Sequence, residues 1–424
     1  MNIFSNYKCN KMNTYFLRLY ILIAHTAILC LSLSSCSDND KTDLESTPKV
    51  AVEYNITKNE AIEILNSILD NAYISTRNGE RKEIGEIGFI TDRYNALTRG
   101  SNDLDTIMYI INFKNDNGFA LMPTDRRTDV LYALVDKGNY SETDNSPGFQ
   151  LFMKMARKYF YLTTSETHNV KNTRGSYQYD WTLINQVNPK LQYKWNQGYP
   201  FNIYCPQLSN GSNAAVGCTA VAAGMILAMN KKPVSINGYT LNWNKISQMK
   251  TASDLNSDAI GKEQVAKFLY ELGRKMNMSY GTESGAWPND ALKYMRDECN
   301  LWASNMRDYV GGDGTSNYVI YSTLHNHPLG LVMMSGYRND GSLLKGHTWV
   351  LDGQIFMKDK NNPEDMQLDL YRCNWGWGGI NDGYYLRYIF DRINGSSLEF
   401  TEDSPRNYNI NLQFSEIDGT LLTN

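Results

Sequence analysis

The chain has 424 residues, with 41 Lys and Arg against 45 Asp and Glu for a formal net charge of −4. That length exceeds one ordinary domain, so two folded units are expected, and no basic cluster marks a nucleic-acid surface. No phosphate-cradling glycine loop, Gly-x-Ser-x-Gly elbow or His-Glu-x-x-His helix occurs, and none of the seven cysteines forms a Cys-x-x-Cys pair. Nucleotide, serine-hydrolase and zincin chemistry therefore lack sequence support, and neither a metal nor a cofactor is expected.

Lys8, Lys11 and Arg18 precede an apolar stretch over residues 19–33 that is short for a spanning helix. Leu33-Ser34-Ser35-Cys36 then matches a bacterial lipobox, which makes residues 1–36 a signal peptide and Cys36 the lipidation site. The following Ser37-Asp38-Asn39-Asp40 resembles a surface-export signal of Bacteroides-type lipoproteins. An outer-membrane lipoprotein on a polar tether, residues 37–53, is the expectation, with an outward orientation as the further step.

The first folded unit is expected over residues 54–164. Thr57-Lys58-Asn59-Glu60 is a capping-box pattern ahead of Ala61, Ile62, Ile64, Leu65, Ile68 and Leu69, which are spaced for an amphipathic helix. Strand-like segments follow at 107–113, 118–122 and 130–135, and Ser146-Pro147 opens a second helix carrying Phe149, Leu151, Phe152, Met155 and Tyr159. Residues 165–176 read as a polar linker in which Lys171 and Arg174 would accept a processing cut, placed near Arg174-Gly175.

The second unit, residues 177–424, carries the chemistry. Gly217-Cys218-Thr219-Ala220 opens a helix expected to run to residue 230, and a thiol in a first helical turn faces unpaired N–H groups that favour its thiolate. A buried core cysteine is the competing reading of this segment alone. Further helices are expected at 263–276 and 288–299, and strands at 329–335, 347–351, 367–375 and 383–388.

His347 lies in Gly346-His347-Thr348-Trp349-Val350-Leu351-Asp352-Gly353, an alternating stretch that would hold an imidazole on a strand. Of the other histidines, His25 lies in the leader, His168 in the linker, and His325 and His327 around a turn without further metal-ligating partners nearby. Arg372-Cys373-Asn374-Trp375-Gly376-Trp377-Gly378-Gly379 supplies an amide able to orient an imidazole and an indole to shield that bond. Tryptophans between glycines can equally be packing anchors.

Together these segments, with Trp195-Asn196-Gln197-Gly198-Tyr199-Pro200-Phe201-Asn202, resemble the streptopain family of papain-like cysteine peptidases, in the form common among Bacteroides-type bacteria. The likeness spans about residue 177 to residue 395 and is concentrated at these four places. It implies an α+β fold: a papain-like catalytic domain with a helical half and an antiparallel sheet half, preceded by a small α+β propeptide that the 54–164 unit resembles. It implies Cys218 as nucleophile, His347 as base, Asn374 as its orienting group and Gln197 in the oxyanion hole. Ser284, Gly285, Gly346, Trp375 and Trp377 would line the substrate groove, with protein or peptide as substrate.

The propeptide would act as an intramolecular inhibitor, covering the cleft and displacing the base from the sulfur. Two departures bear on subsite shape: Thr348 stands where the family usually has alanine, and residues 354–367 read as a long polar excursion. A silent surface-binding or inhibitory lipoprotein, or a thiol amidase acting on a non-protein amide, stays open as an alternative.

Overall fold

The computed structural model describes residues 54–72, 81–92, 105–144, 146–165, 178–310, 314–339, 344–364, 366–393 and 409–420. The leader with Cys36, and the linker segment with Arg174, lie outside the described residues. Helix α1 (Lys58–Asn71) starts on the expected capping box, the Thr57 N–H donating to Glu60 Oε2 at 2.8 Å and the Glu60 N–H to Thr57 Oγ1 at 3.3 Å. Its buried stripe is Ala61, Ile64, Leu65, Ile68 and Leu69. Strands β1 (Ile84–Asp92), β2 (Asp105–Phe113), β3 (Phe119–Pro123) and β4 (Ala133–Val135) and helix α2 (Pro147–Ser165) complete the first unit. Strand β1 was not legible because Gly85 and Gly88 interrupt its apolar pattern; pairing with β2 holds it instead.

The second unit begins with β5 (Trp181–Val187), α3 (Cys218–Asn230), the short pair β6 (Ser235–Ile236) and β7 (Tyr239–Thr240), and helices α4 (Trp243–Ile246), α5 (Ala252–Ser257), α6 (Ala259–Lys275) and α7 (Pro288–Asp297). It continues through β8 (Trp302–Ala303), β9 (Arg307–Asp308), α8 (Thr315–Asn326), β10 (Gly330–Asn339), β11 (Leu344–Asp359), β12 (Gln367–Asn374), β13 (Gly383–Leu386), α9 (Arg387–Ile393) and β14 (Asn409–Asp418). Helix α3 has no polar face. Residues Thr219 through Ala228 are all buried, as befits a helix enclosed by its neighbours on every side.

One antiparallel sheet runs β1-β2-β3-β4-β13-β12-β11-β10-β14-β8, with β5 on β11 and β9 on β14. The two units expected from sequence therefore share it. Val135 faces Gly383, Leu134 faces Tyr384 and Ala133 faces Tyr385 at the β4–β13 seam, where each short strand satisfies the other's open edge. The core follows the same plan. One cluster joins α1, α2 and the sheet face that carries Trp349, Trp375 and Tyr385, and another fills the helical half around α3 and α6.

The expected polar excursion over 354–367 is corrected for residues 354–359, while 360–364 form a largely exposed polar turn. Strand β11 continues to Asp359, pairing with both β12 and β5. Its polar residues are internally bonded rather than solvated: Gln354 is buried and donates to Asp369 at 2.6 Å.

Candidate active site

Gly217 turns the chain into α3 with φ 92°. A Cβ there would stand 2.7 Å from Met278 Cε and 3.2 Å from the Ser284 carbonyl oxygen, so backbone freedom and space both demand glycine. The first turn of α3 is stitched to β11: Thr219 Oγ1 donates to the Ala286 carbonyl at 3.0 Å and lies 3.3 Å from Thr348 Oγ1. This contact brings Cys218 to the strand that carries His347. Burial pushes the Cys218 thiol up, but the hydrogen bond and charge of His347, with hydrogen bonds from the Thr348 backbone and hydroxyl, outweigh it and bring the thiol below its ordinary value. Burial pushes Cys205 up to about 12, and it does the same to Cys299 against the Tyr294 hydroxyl and the charges of Lys232 and Lys275. Cys373 is also driven well up by burial.

His347 is 3% exposed. Its Nε2 lies 2.8 Å from the Trp375 carbonyl oxygen, and a carbonyl only accepts, so Nε2 carries the proton and Nδ1 is left as the acceptor of the neutral ring. Trp349 lies parallel to the imidazole at 6.2 Å and Trp375 is tilted against it at 6.2 Å, excluding water from that bond.

The expectation that the Asn374 amide orients His347 is corrected here. Asn374 Nδ2 donates to the Tyr193 carbonyl at 2.9 Å, and Asn374 Oδ1 accepts the Gly376 N–H at 3.1 Å. Both ends of the amide brace the loop, and the neighbouring main-chain carbonyl of Trp375 holds the imidazole. Left-handed Gly376, Gly378 and Gly379 shape that loop.

Main-chain bonds lace the remaining motifs together. The Val216 N–H donates to the Gln197 carbonyl at 2.9 Å, and the Gly378 N–H donates to the Trp195 carbonyl at 2.9 Å. Half-buried Gln197 is thus fixed between the nucleophile loop and the tryptophan loop. Ser284 is buried, its Oγ accepting the Gly281 N–H at 3.0 Å, while Gly285 is exposed and bridges to Ser279. Gly346 is exposed beside His347, and Trp377 is half-buried. Trp375 is fully buried behind the imidazole, beneath the first turn of α2.

The first unit sits on this indole. At Gly148, in the first turn of α2, a Cβ would be 2.8 Å from His347 Cδ2 and 2.2 Å from Trp375 Cε3. Asn381 donates to Ser146 Oγ at 3.0 Å and to Asp144, and Arg372 Nη2 meets Asp136 at 2.9 Å. Arg372 is buried and Asp136 partly so, which makes this pair a stronger anchor than a surface ion pair. Beneath this cover His347 keeps its bond to the Trp375 carbonyl, at 2.8 Å.

Sequence reasoning missed Gly148, the Thr348 contact with the thiol and the Trp375 carbonyl. Glycine in a first helical turn, where propensity argues against it, was the available signal for Gly148.

Residues 195–385 match the model of the Peptidase C10 family, and residues 53–174 match that of the Spi protease inhibitor. Streptopain of Streptococcus pyogenes serotype M1 is 20% identical over 330 residues, 69% of this chain and 75% of that protein. The thiol protease/hemagglutinin PrtT of Porphyromonas gingivalis is 22% identical over 334 residues, 70% of this chain and 36% of that protein. Among solved structures, a fragment of Prevotella intermedia prointerpain A has a TM-score of 0.52 at 19% identity, covering 79% of this chain and 98% of that one, and shows the fold.

Fold and site together define a cysteine peptidase of the papain type, a hydrolase made as a zymogen with its own propeptide. Residues 195–385 are its Peptidase C10 part, and the enzyme is streptopain-like.

Proposed function

We propose that the protein is an exported endopeptidase in which Cys218 is the nucleophile and His347 the general acid and base. The observation that carries this reading is Cys218 at the head of α3, in a turn that meets Thr348 beside His347, with the thiol lowered by His347. The sulfur attacks the carbonyl carbon of a peptide bond, and the imidazolium protonates the departing amine. His347 then takes a proton from water as that water attacks the thioester, and the acid product leaves with the thiol restored. The Cys218 N–H and the Gln197 amide stabilise the oxyanion, each contributing on the order of a few kcal/mol. The Trp375 carbonyl orients the base, and Asn374 braces the loop that presents it. Exposed Gly285 and Gly346 offer main-chain groups to an extended peptide.

Residues 1–36 act as a signal peptide lipidated at Cys36, anchoring the zymogen in the outer membrane with the enzyme facing outward. Residues 54–164 are the inhibitory propeptide, and a cut near Arg174-Gly175 releases the peptidase domain, residues 177–424. Casein hydrolysis and processing by the wild-type zymogen beside Cys218→Ala test the reading. Loss of both in the variant, with an unchanged fold, is expected; retained hydrolysis would refute it. Amino-terminal sequencing of the mature form tests the cut, and a start inside residues 181–195 would exclude it.

A further inference from the structure

Arg372 projects from β12 into a buried site with three carboxylates. Its Nη1 is shared by both oxygens of Asp352, at 3.0 and 3.1 Å. Its Nη2 donates to Asp136, the residue that follows β4 in the propeptide, at 2.9 Å. Asp382 Oδ2 lies 3.9 Å from the same Nη2, is buried, and has no hydrogen-bond partner among the described residues. A buried carboxylate oxygen left half-paired beside a guanidinium is an unrelaxed arrangement.

The other oxygen of Asp382 is committed to the active site. Asp382 Oδ1 accepts the Trp375 N–H at 2.9 Å, and the carbonyl of that same residue accepts the His347 Nε2–H at 2.8 Å. Asp382 thus holds one side of the residue whose other side holds the base. The Asp136 N–H also donates to the Asp382 carbonyl, at 2.8 Å, so the propeptide grips Asp382 through its main chain and competes with it for Arg372.

We propose that Asp382 is a positioning residue for His347, acting through Trp375, and that its pairing with Arg372 closes when the propeptide departs. The proposal rests on the reading of Cys218 and His347 as the hydrolytic pair. Loss of β4 removes Asp136 from Arg372 and leaves Nη2 without an acceptor in a site where an unpaired charge is costly. Asp382 Oδ2 is in place to receive it after a shift of about 1 Å, within the reach of a side-chain adjustment. Burial raises the Asp382 carboxyl to about 6 in the zymogen, with the nearby Asp136 charge adding to the effect against Arg372, the Trp375 N–H and Lys194. Departure of Asp136 takes away that like charge, and the closed pair then fixes the Trp375 main chain that presents its carbonyl to the base. Maturation on this account both uncovers the imidazole and tightens its support.

The test compares mature enzyme from the wild-type and Asp382→Asn zymogens on a peptide substrate. Asparagine keeps the shape and can still accept the Trp375 N–H, but it cannot form the ion pair. The expected result is a fall in kcat of about tenfold with KM within about twofold, because a misheld base slows chemistry without altering substrate contacts. An unchanged kcat, or a loss confined to KM, overturns the proposal.

Should the variant fail to fold or mature, the crystal structure of the wild-type mature enzyme decides. Arg372 Nη2 within about 3.2 Å of Asp382 Oδ2 supports the switch, and a separation no shorter than in the zymogen refutes it. Failure of the hydrolytic reading is separately visible, as activity that survives Cys218→Ala.

Discussion

Gly148 of the propeptide lies so close to His347 that a Cβ at that position would stand 2.8 Å from the ring's Cδ2. The zymogen therefore covers its base with bare main chain at the start of a helix. Leu151, one turn further along α2, approaches Gly336 on β10, which faces His347 in register, where a Cβ would lie 2.9 Å from Leu151 Cδ2. The two contacts seat the same helix over the strand that carries the base.

Substitution Gly148→Val is expected to force the start of α2 away from the imidazole and indole, because overpacking a tight contact costs about 1–3 kcal/mol. The variant zymogen should unfold at lower temperature, and its Cys218 should be labelled by a peptide epoxide before processing. Equal labelling of variant and wild-type zymogen would count against the covering role.

Alkylation of the mature enzyme by iodoacetamide over a range of pH reports the thiolate directly. A lowered thiol pKa means that the reactive anion persists as pH falls below the ordinary range near 8.5, where a free cysteine is already protonated. Cys218 is expected to react at and below neutral pH, while Cys205 and Cys299, pushed up to about 12, stay unmodified in the folded protein. Replacement His347→Ala should move the Cys218 titration upward, since it removes the largest favourable contributor.

Asn374→Ala separates bracing from orientation. The amide bonds Tyr193 and Gly376 rather than the imidazole, so its loss should lower stability by about 1–3 kcal/mol, the penalty for buried groups left unsatisfied. Enough turnover should remain to exceed His347→Ala clearly. If Asn374→Ala matched His347→Ala in kcat at unchanged stability, the carbonyl of Trp375 would not be the orienting group.

Gln197→Ala should lower kcat by about 10²-fold with little change in KM, the pattern of a donor that meets charge developing only in the transition state. Steady-state kinetics on a short peptide read this out. A rise in KM at constant kcat would instead make Gln197 a substrate contact.

Much of the site was legible because its chemistry is tied to local patterns. Gly217 before Cys218 announces a helix start that only glycine can reach, and the alternation around His347 announces a strand. The full extent of β11 was hidden because Gln354 and Asp369 are buried by bonding one another, which polarity alone reads as solvent exposure. Strand β4 as a partner of β13 was hidden because register between distant short strands leaves no trace in either one. The base's true partner was illegible for a plainer reason. A main-chain carbonyl has no side-chain identity, so the sequence points to Asn374 where geometry selects its neighbour Trp375.

The central claim, that Cys218 and His347 form the working pair, is tested most directly by mapping the adduct of a peptide epoxide on the mature enzyme by mass spectrometry. A single adduct on Cys218, stoichiometric with lost activity and abolished in His347→Ala, is the expected result. Full inactivation with Cys218 unmodified, or equal labelling without His347, would contradict it.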